Sequence, residues 1–164
     1  RTHGQANDGL RYFGYPLTEE IQDFNFAHNI TRTVQYFERV RLEVHTEANG
    51  CPDTISIGSL GRDLTGGRFF STARFFVSDA GHIYFGETQH SIGGAFYPFW
   101  RDHGALTRLG FPISEELREN GLIVQYFERA RLAYHPSFVG TPSDVDLEAL
   151  GLAEMQRRGW DGTV

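Results

Sequence analysis

Apolar and β-favouring residues gather in two stretches, Val34 to Phe37 and Arg41 to His45, on either side of the polar pair Glu38-Arg39. That pattern predicts a hairpin with a short turn. It returns at Val124 to Phe127 and Arg131 to His135, around Glu128-Arg129. Upstream, Gly14-Tyr15-Pro16 and Gly110-Phe111-Pro112 predict turns, because glycine tolerates positive φ and proline fixes the next φ. Thr18 and Ser114 read as N-caps, each followed by two glutamates where a helix dipole favours negative charge, so a short helix is expected after each. Phe75-Phe76-Val77 and Ile83-Tyr84-Phe85 flank the turn-rich Ser78 to Gly81, predicting a further hairpin. Phe96, Phe99, Trp100 and His103 fall at helical spacing, with Pro98 tolerated in a first turn and Gly104 as a stop. Ser59 to Asp63 and Gly66-Gly67 read as loop.

Self-comparison organises these elements. Val34 to His45 matches Val124 to His135 at nine of twelve positions. Gly14 to Ile21 matches Gly110 to Leu117 with conservative differences only. The offset is 96 in the earlier block and 90 in the later one, so the first copy carries six extra residues within Asp23–Thr33. The offset of 90 persists through Gly50/Gly140, Pro52/Pro142, Leu60/Leu150 and Gly61/Gly151. The chain therefore reads as a tandem repeat. The expected fold is α+β, built from short helices and β-hairpins, with one complete unit and one N-terminally truncated unit. The division is 1–70 for the truncated repeat and 71–164 for the complete repeat with its lead-in hairpin and helix. A unit short of its lead-in exposes apolar surface unless a neighbour covers it.

Composition narrows the chemistry. All 15 basic residues are arginine, so Schiff-base lysines, phosphate-loop lysines and lysine isopeptide cross-links are excluded. A net charge of −6 without an arginine cluster disfavours nucleic acid as a partner. The single cysteine, Cys51, rules out an internal disulfide and a cysteine-rich zinc site. No apolar run approaches the roughly 20 residues of a transmembrane helix. Met155 is the only methionine and the first residue is Arg1, so an internal or processed start is expected.

The stretch Leu109-Gly110-Phe111-Pro112, followed by Ser114-Glu115-Glu116 and the hairpin around Phe127, resembles the LGFP repeat of bacterial cell-envelope proteins. A longer secreted variant of that repeat is closer still. It is carried here by Ala80-Gly81-His82, Phe96 to Trp100, Gly110 to Glu116 and Val124 to Arg131. The resemblance implies an extracellular or cell-surface location and no catalytic activity.

No constellation of residues contradicts that implication. Glu19-Glu20 and Glu115-Glu116 are adjacent pairs read as helix-start charge, and Glu38-Arg39 and Glu128-Arg129 as turn or ion-pair residues. The seven histidines, His3, His28, His45, His82, His90, His103 and His135, form no metal-binding spacing. Cys51 sits in a turn-like Asn49 to Pro52. No enzyme, metal or cofactor is expected. Aromatic and arginine residues at matched positions are the better handle, because both sugar and protein surfaces favour them. The candidate partner-binding residues are Tyr36, Arg39, Arg41, Tyr126, Arg129, Arg131 and, near the end of the chain, Trp160. Asn29-Ile30-Thr31 is a glycosylation sequon within the six-residue insertion. The expected function is a non-catalytic cell-surface structural protein that self-assembles non-covalently through repeat-to-repeat contacts, as a filament or envelope-layer subunit. The alternative is a module that binds cell-wall polysaccharide and anchors a larger secreted protein.

Overall fold

Glu38-Arg39 and Glu128-Arg129 sit at the tips of two tight hairpins, and the architecture is built around them. The computed structural model describes residues 5–25, 29–46, 53–72 and 81–160. The fold is α+β. One four-stranded antiparallel sheet is formed by β1 (Ile21–Asn25), β2 (Ile30–Tyr36), β3 (Arg41–His45) and β4 (Thr54–Ile57) in that order. Helix α1 (Gln5–Phe13) precedes this sheet and α2 (Leu60–Thr65) follows it. A hairpin of β5 (His82–Phe85) and β6 (His90–Gly93) comes next, then helices α3 (Phe96–Asp102) and α4 (Ala105–Arg108). The second four-stranded sheet is β7 (Leu117–Glu119), β8 (Leu122–Tyr126), β9 (Arg131–Tyr134) and β10 (Val145–Leu147), and α5 (Leu150–Arg157) closes the described chain. Among the described residues no helix is long and apolar enough to cross a membrane.

Both tips are closed by the same bonds. The Phe37 N–H donates to Val40 O and the Phe127 N–H to Ala130 O, each at 2.8 Å. Gly14 and Gly110 take φ of 76° and 80°, the region where glycine is favoured, and lead into bridges pairing Pro16 with Phe37 and Pro112 with Phe127. The six additional residues of the first sheet lengthen one hairpin: Ile21 pairs with Val34 where Leu117 pairs with Val124. Asn29 lies in that longer turn, exposed and left-handed at φ 52°.

Three expectations are corrected. No helix starts at Thr18 or Ser114. Their hydroxyls instead accept the backbone N–H of Tyr36 (3.1 Å) and of Tyr126 (2.9 Å) across the sheet. Leu17 N–H and Ile113 N–H also bond the carbonyls of Tyr36 and Tyr126, at 2.8 Å each, so the chain is drawn into strand before it can coil. The strand Ile83–Phe85 pairs with β6; its expected partner Phe75–Val77 lies outside the described residues. Gln89, left-handed at φ 60°, returns its N–H to Phe85 O at 2.8 Å and sets that turn. Ser59 to Asp63, read as loop, leads into and forms most of α2. Finally, α1 supplies the first sheet with a helical lead-in. It runs unbroken through Asn7-Asp8, whereas the equivalent His103-Gly104 splits α3 from α4 with Gly104 at φ 95°. Pro98 does lie in the first turn of α3, as expected.

The two sheets are locked together by exchanged helices. The Arg62 N–H of α2 donates to Glu128 O at 3.1 Å, at the tip of the second sheet. The Leu152 N–H of α5 donates to Glu38 O at 3.0 Å, at the tip of the first. Each helix approaches through a glycine. A Cβ on Gly61 would collide with the backbone oxygen of Phe127, and one on Gly151 with that of Phe37. One buried cluster spans the junction, joining Tyr12 and Val40 to Trp100, Leu109, Phe127 and Leu132; a smaller one joins Val34 and Tyr36 to Leu60 and Leu150. At roughly 25 cal/mol per Å² of apolar area buried, these shared clusters are the main cohesive term.

Candidate functional site

On each sheet the recurring tyrosine and arginine meet an acid. Tyr36 is fully buried, and its hydroxyl donates to Asp23 at 2.7 Å. Arg41, 3% exposed, bonds Glu43 (2.9 Å through Nε), Asp63 (2.9 Å) and the Tyr36 hydroxyl (3.3 Å). On the second sheet the Tyr126 hydroxyl donates to Glu119 at 2.7 Å, and Arg131 bonds Glu119 at 3.0 Å and also Glu148. The segment after each exchanged helix then lies over the other sheet's tyrosine. Arg158 bonds Asp23 at 2.7 Å and stacks over Tyr36 and Trp160, whose rings meet edge-on at 5.3 Å. Arg68 pairs with Glu119 and stacks over Phe70 and Tyr126, whose rings lie 5.2 Å apart.

Of the seven candidate partner residues, Tyr36, Arg41, Tyr126, Arg131 and Trp160 thus fall in these two internal clusters. Trp160 seats on its own chain's Tyr36, where the sequence suggested an anchor for a neighbour. Arg129 reaches across to Ile57 O (3.0 Å) and to Leu106 O (2.9 Å), and Arg39 pairs with Glu38 at 4.0 Å. Sequence reading missed the partners Asp23, Glu119, Arg68 and Arg158. The offset of 90 was the available signal, since it relates Arg68 to Arg158 and Phe70 to Trp160.

Electrostatics follows this pairing. Burial acts to raise the carboxyls of Asp23, Glu119 and Glu154. Hydrogen bonds from Arg158 and Tyr36 (Asp23), Arg68 and Tyr126 (Glu119), and Arg157 and Arg158 (Glu154) outweigh it and hold all three below their ordinary range. Burial pushes the Tyr36 hydroxyl upward, and burial, reinforced by Glu115, raises Glu116. A carboxyl depressed in the folded state adds stability above its unfolded value and loses it as pH falls through its folded value. Glu116 has the opposite sign and relieves a small penalty on protonation. Four depressed carboxyls, counting the exposed Asp102 beside Arg101, oppose one, so stability is expected to change little down to about 4.5, with a small gain from Glu116 just above it, and to fall as pH drops below 3.8, the ordinary values of these carboxyls. Urea midpoints measured across that range check the prediction; a midpoint rising as pH falls below 3.8 would contradict it.

Among the described residues, three surfaces stand exposed. A cleft of about 700 Å³ is bordered by Arg62, Arg68, Arg157, Phe24, Phe69 and Glu154. Phe69 is 83% exposed there, and the three arginines are half-exposed while paired with carboxylates. The edge strand β4 forms a second, with Ile55 69% exposed. The third is the face of the first sheet around Tyr15, Pro16 and Glu19, all exposed.

Among the described histidines, His45 bonds Arg32 and Ser56, His90 faces Glu115 at 3.2 Å, His103 donates to Phe99 O at 2.7 Å, and His135 pairs with Asp146 at 3.2 Å. Among the described residues no three His, Cys, Asp or Glu gather closely enough to hold a metal. Cys51, His3 and His28 lie outside those residues. No family model, no curated protein and no solved structure matches the chain.

Proposed function

We propose that the chain is a tandem repeat, serving as a non-catalytic structural protein of the cell surface that self-assembles non-covalently through repeat-to-repeat contacts. The observation that carries the assembly is the β4 edge, which has no further strand beside it among the described residues and where Ile55 stands 69% exposed. Such an edge is a template for strand addition by a second chain. The opposite edge of the same sheet adds Phe24 (38% exposed) and Ile30 (39%) nearby. The extracellular location rests on the resemblance of the Gly110 to Glu116 and Val124 to Arg131 motifs. Sedimentation velocity over a concentration series, with negative-stain microscopy, tests the reading. Concentration-dependent growth is expected, and Ile55→Lys, which places a charge on the edge, is expected to suppress it. A chain that stays monomeric at high concentration would remove self-assembly.

The cleft favours a second reading, binding of envelope polysaccharide, because exposed Phe69 and Phe24 rings beside half-exposed arginines suit sugar faces and hydroxyls. Retention on isolated wall polysaccharide that is lost in Phe69→Ala would support it.

A further inference from the structure

Among the described residues, the second sheet has a cover that the first lacks. In the second, the β5–β6 hairpin sits on the loop after Pro112. Glu115 accepts the backbone N–H of Ser91 at 2.9 Å and its hydroxyl at 2.5 Å. Gln125 Nε2 donates to Ser91 O at 2.6 Å and to Ser114 O at 2.9 Å. Phe85 of the hairpin meets Phe111 edge-on at 5.5 Å. Under this cover Pro112 and Gln125 are buried and Glu115 is half-buried.

Every receiving group recurs on the first sheet at its matched position. Tyr15 stands for Phe111, Pro16 for Pro112, Glu19 for Glu115 and Gln35 for Gln125. Gln35 keeps the bond within its own sheet, to Thr18 O at 2.9 Å, but gives none to a hairpin. Pro16 and Glu19 are exposed, Tyr15 is 63% exposed, and Gln35 is only half-buried. The backbone frame is the same: Glu38 accepts the Tyr15 N–H at 3.1 Å as Glu128 accepts the Phe111 N–H at 3.2 Å.

We infer that the face formed by Tyr15, Pro16, Glu19 and Gln35 is an acceptor site for a β-hairpin of the β5–β6 type, presented by a repeat unit other than the second. The second sheet specifies the occupant: an aromatic to meet Tyr15, and a serine whose N–H and hydroxyl reach Glu19 while its carbonyl takes the Gln35 amide. An identical copy has its hairpin seated on its own second sheet and would have to vacate that site to donate it. The hairpin therefore comes from a repeat unit that holds one unengaged. This inference rests on the repeat reading above, but uses a surface separate from the β4 edge.

The test adds a backbone-cyclised peptide of residues 81–94 to the full-length, isotopically labelled chain. Cyclisation is needed because an isolated two-stranded hairpin is marginal in water. The chain's own hairpin resists exchange because it is tethered at high effective concentration. Saturable shift changes are expected at Tyr15, Glu19 and the Gln35 side-chain amide. A Ser91→Ala peptide is expected to bind roughly tenfold more weakly, the effect of one hydrogen bond to a charged acceptor. Glu19→Gln in the chain should weaken the parent peptide similarly. No shifts at this face, shifts confined to the second sheet, or equal binding by the Ser91→Ala peptide would overturn the inference. Peptide binding by a chain that stays monomeric supports the acceptor site and removes self-assembly alone; polymers that ignore the peptide do the reverse.

Discussion

Gly151→Ala is expected to destabilise the chain by roughly 2–3 kcal/mol, the upper part of the range for forcing a methyl group into a packed interface. The reason is not backbone freedom, since Gly151 does not occupy the left-handed region. Its Cα lies so close to the Phe37 carbonyl that a Cβ would overlap a backbone oxygen. A backbone atom cannot rotate aside as a flexible side chain would. Relief requires α5 to lift from the Glu38 tip, breaking the Leu152–Glu38 bond and unseating Leu150, which is 5% exposed. Gly61→Ala should act in the same way against Phe127. Because α2 and α5 also touch each other, the double substitution should cost less than the sum of the two singles. Gly9→Ala is the control. It lies within α1 with nothing within 4 Å of its virtual Cβ, so alanine there should stabilise by roughly 0.5–1 kcal/mol. Chemical denaturation of the four variants decides the matter. Equal effects at positions 9 and 151 would sink the exchanged-helix account.

The same glycines show where sequence reading stops. The tips at Glu38 and Glu128 were legible because their signals are local: β-rich runs, a polar pair, and Gly-aromatic-Pro ahead. Helix α3 was legible for a similar reason, through apolar spacing and a glycine stop. The matched Leu60-Gly61 and Leu150-Gly151 were visible as a repeat, yet α2 read as loop. Six residues hold too few turns to show a period, and the helix docks through contacts 66 residues away, as between Arg62 and Glu128. Thr18 and Ser114 misled in the opposite direction. A hydroxyl followed by two glutamates suits a helix start, but a neighbouring strand offered the hydroxyl a backbone N–H instead. The candidate Tyr36 and Arg41 were correctly singled out as a recurring pair. Their inward orientation was not legible locally, because Asp23 and Asp63, two of the acids that receive them, come from β1 and α2, and only Glu43 shares Arg41's strand.

Arg41→Ala is expected to have the larger effect, roughly 3–5 kcal/mol, as for removing one partner of a buried ion pair. Arg41 is 3% exposed and neutralises Glu43, itself mostly buried, together with Asp63. Truncation leaves these carboxylates facing each other with the Tyr36 hydroxyl nearby and little access to water. Arg41→Lys should recover only part of the loss. A single ammonium cannot reach Glu43, Asp63 and the tyrosine hydroxyl in the fixed fork that guanidinium provides. The contrast is Arg68, which pairs with Glu119 on the second sheet but is half-exposed; Arg68→Ala should cost far less than Arg41→Ala. The absence of lysine from all 15 basic positions acquires a structural reason here. At Arg41, Arg131 and Arg158 one side chain meets two or more acceptors at once, and at Arg68 and Arg158 it also stacks on a ring. Thermal denaturation of Arg41→Ala, Arg41→Lys and Arg68→Ala ranks the three. An Arg41→Lys variant as stable as the parent would show that charge alone, without the fork, holds the first sheet to α2.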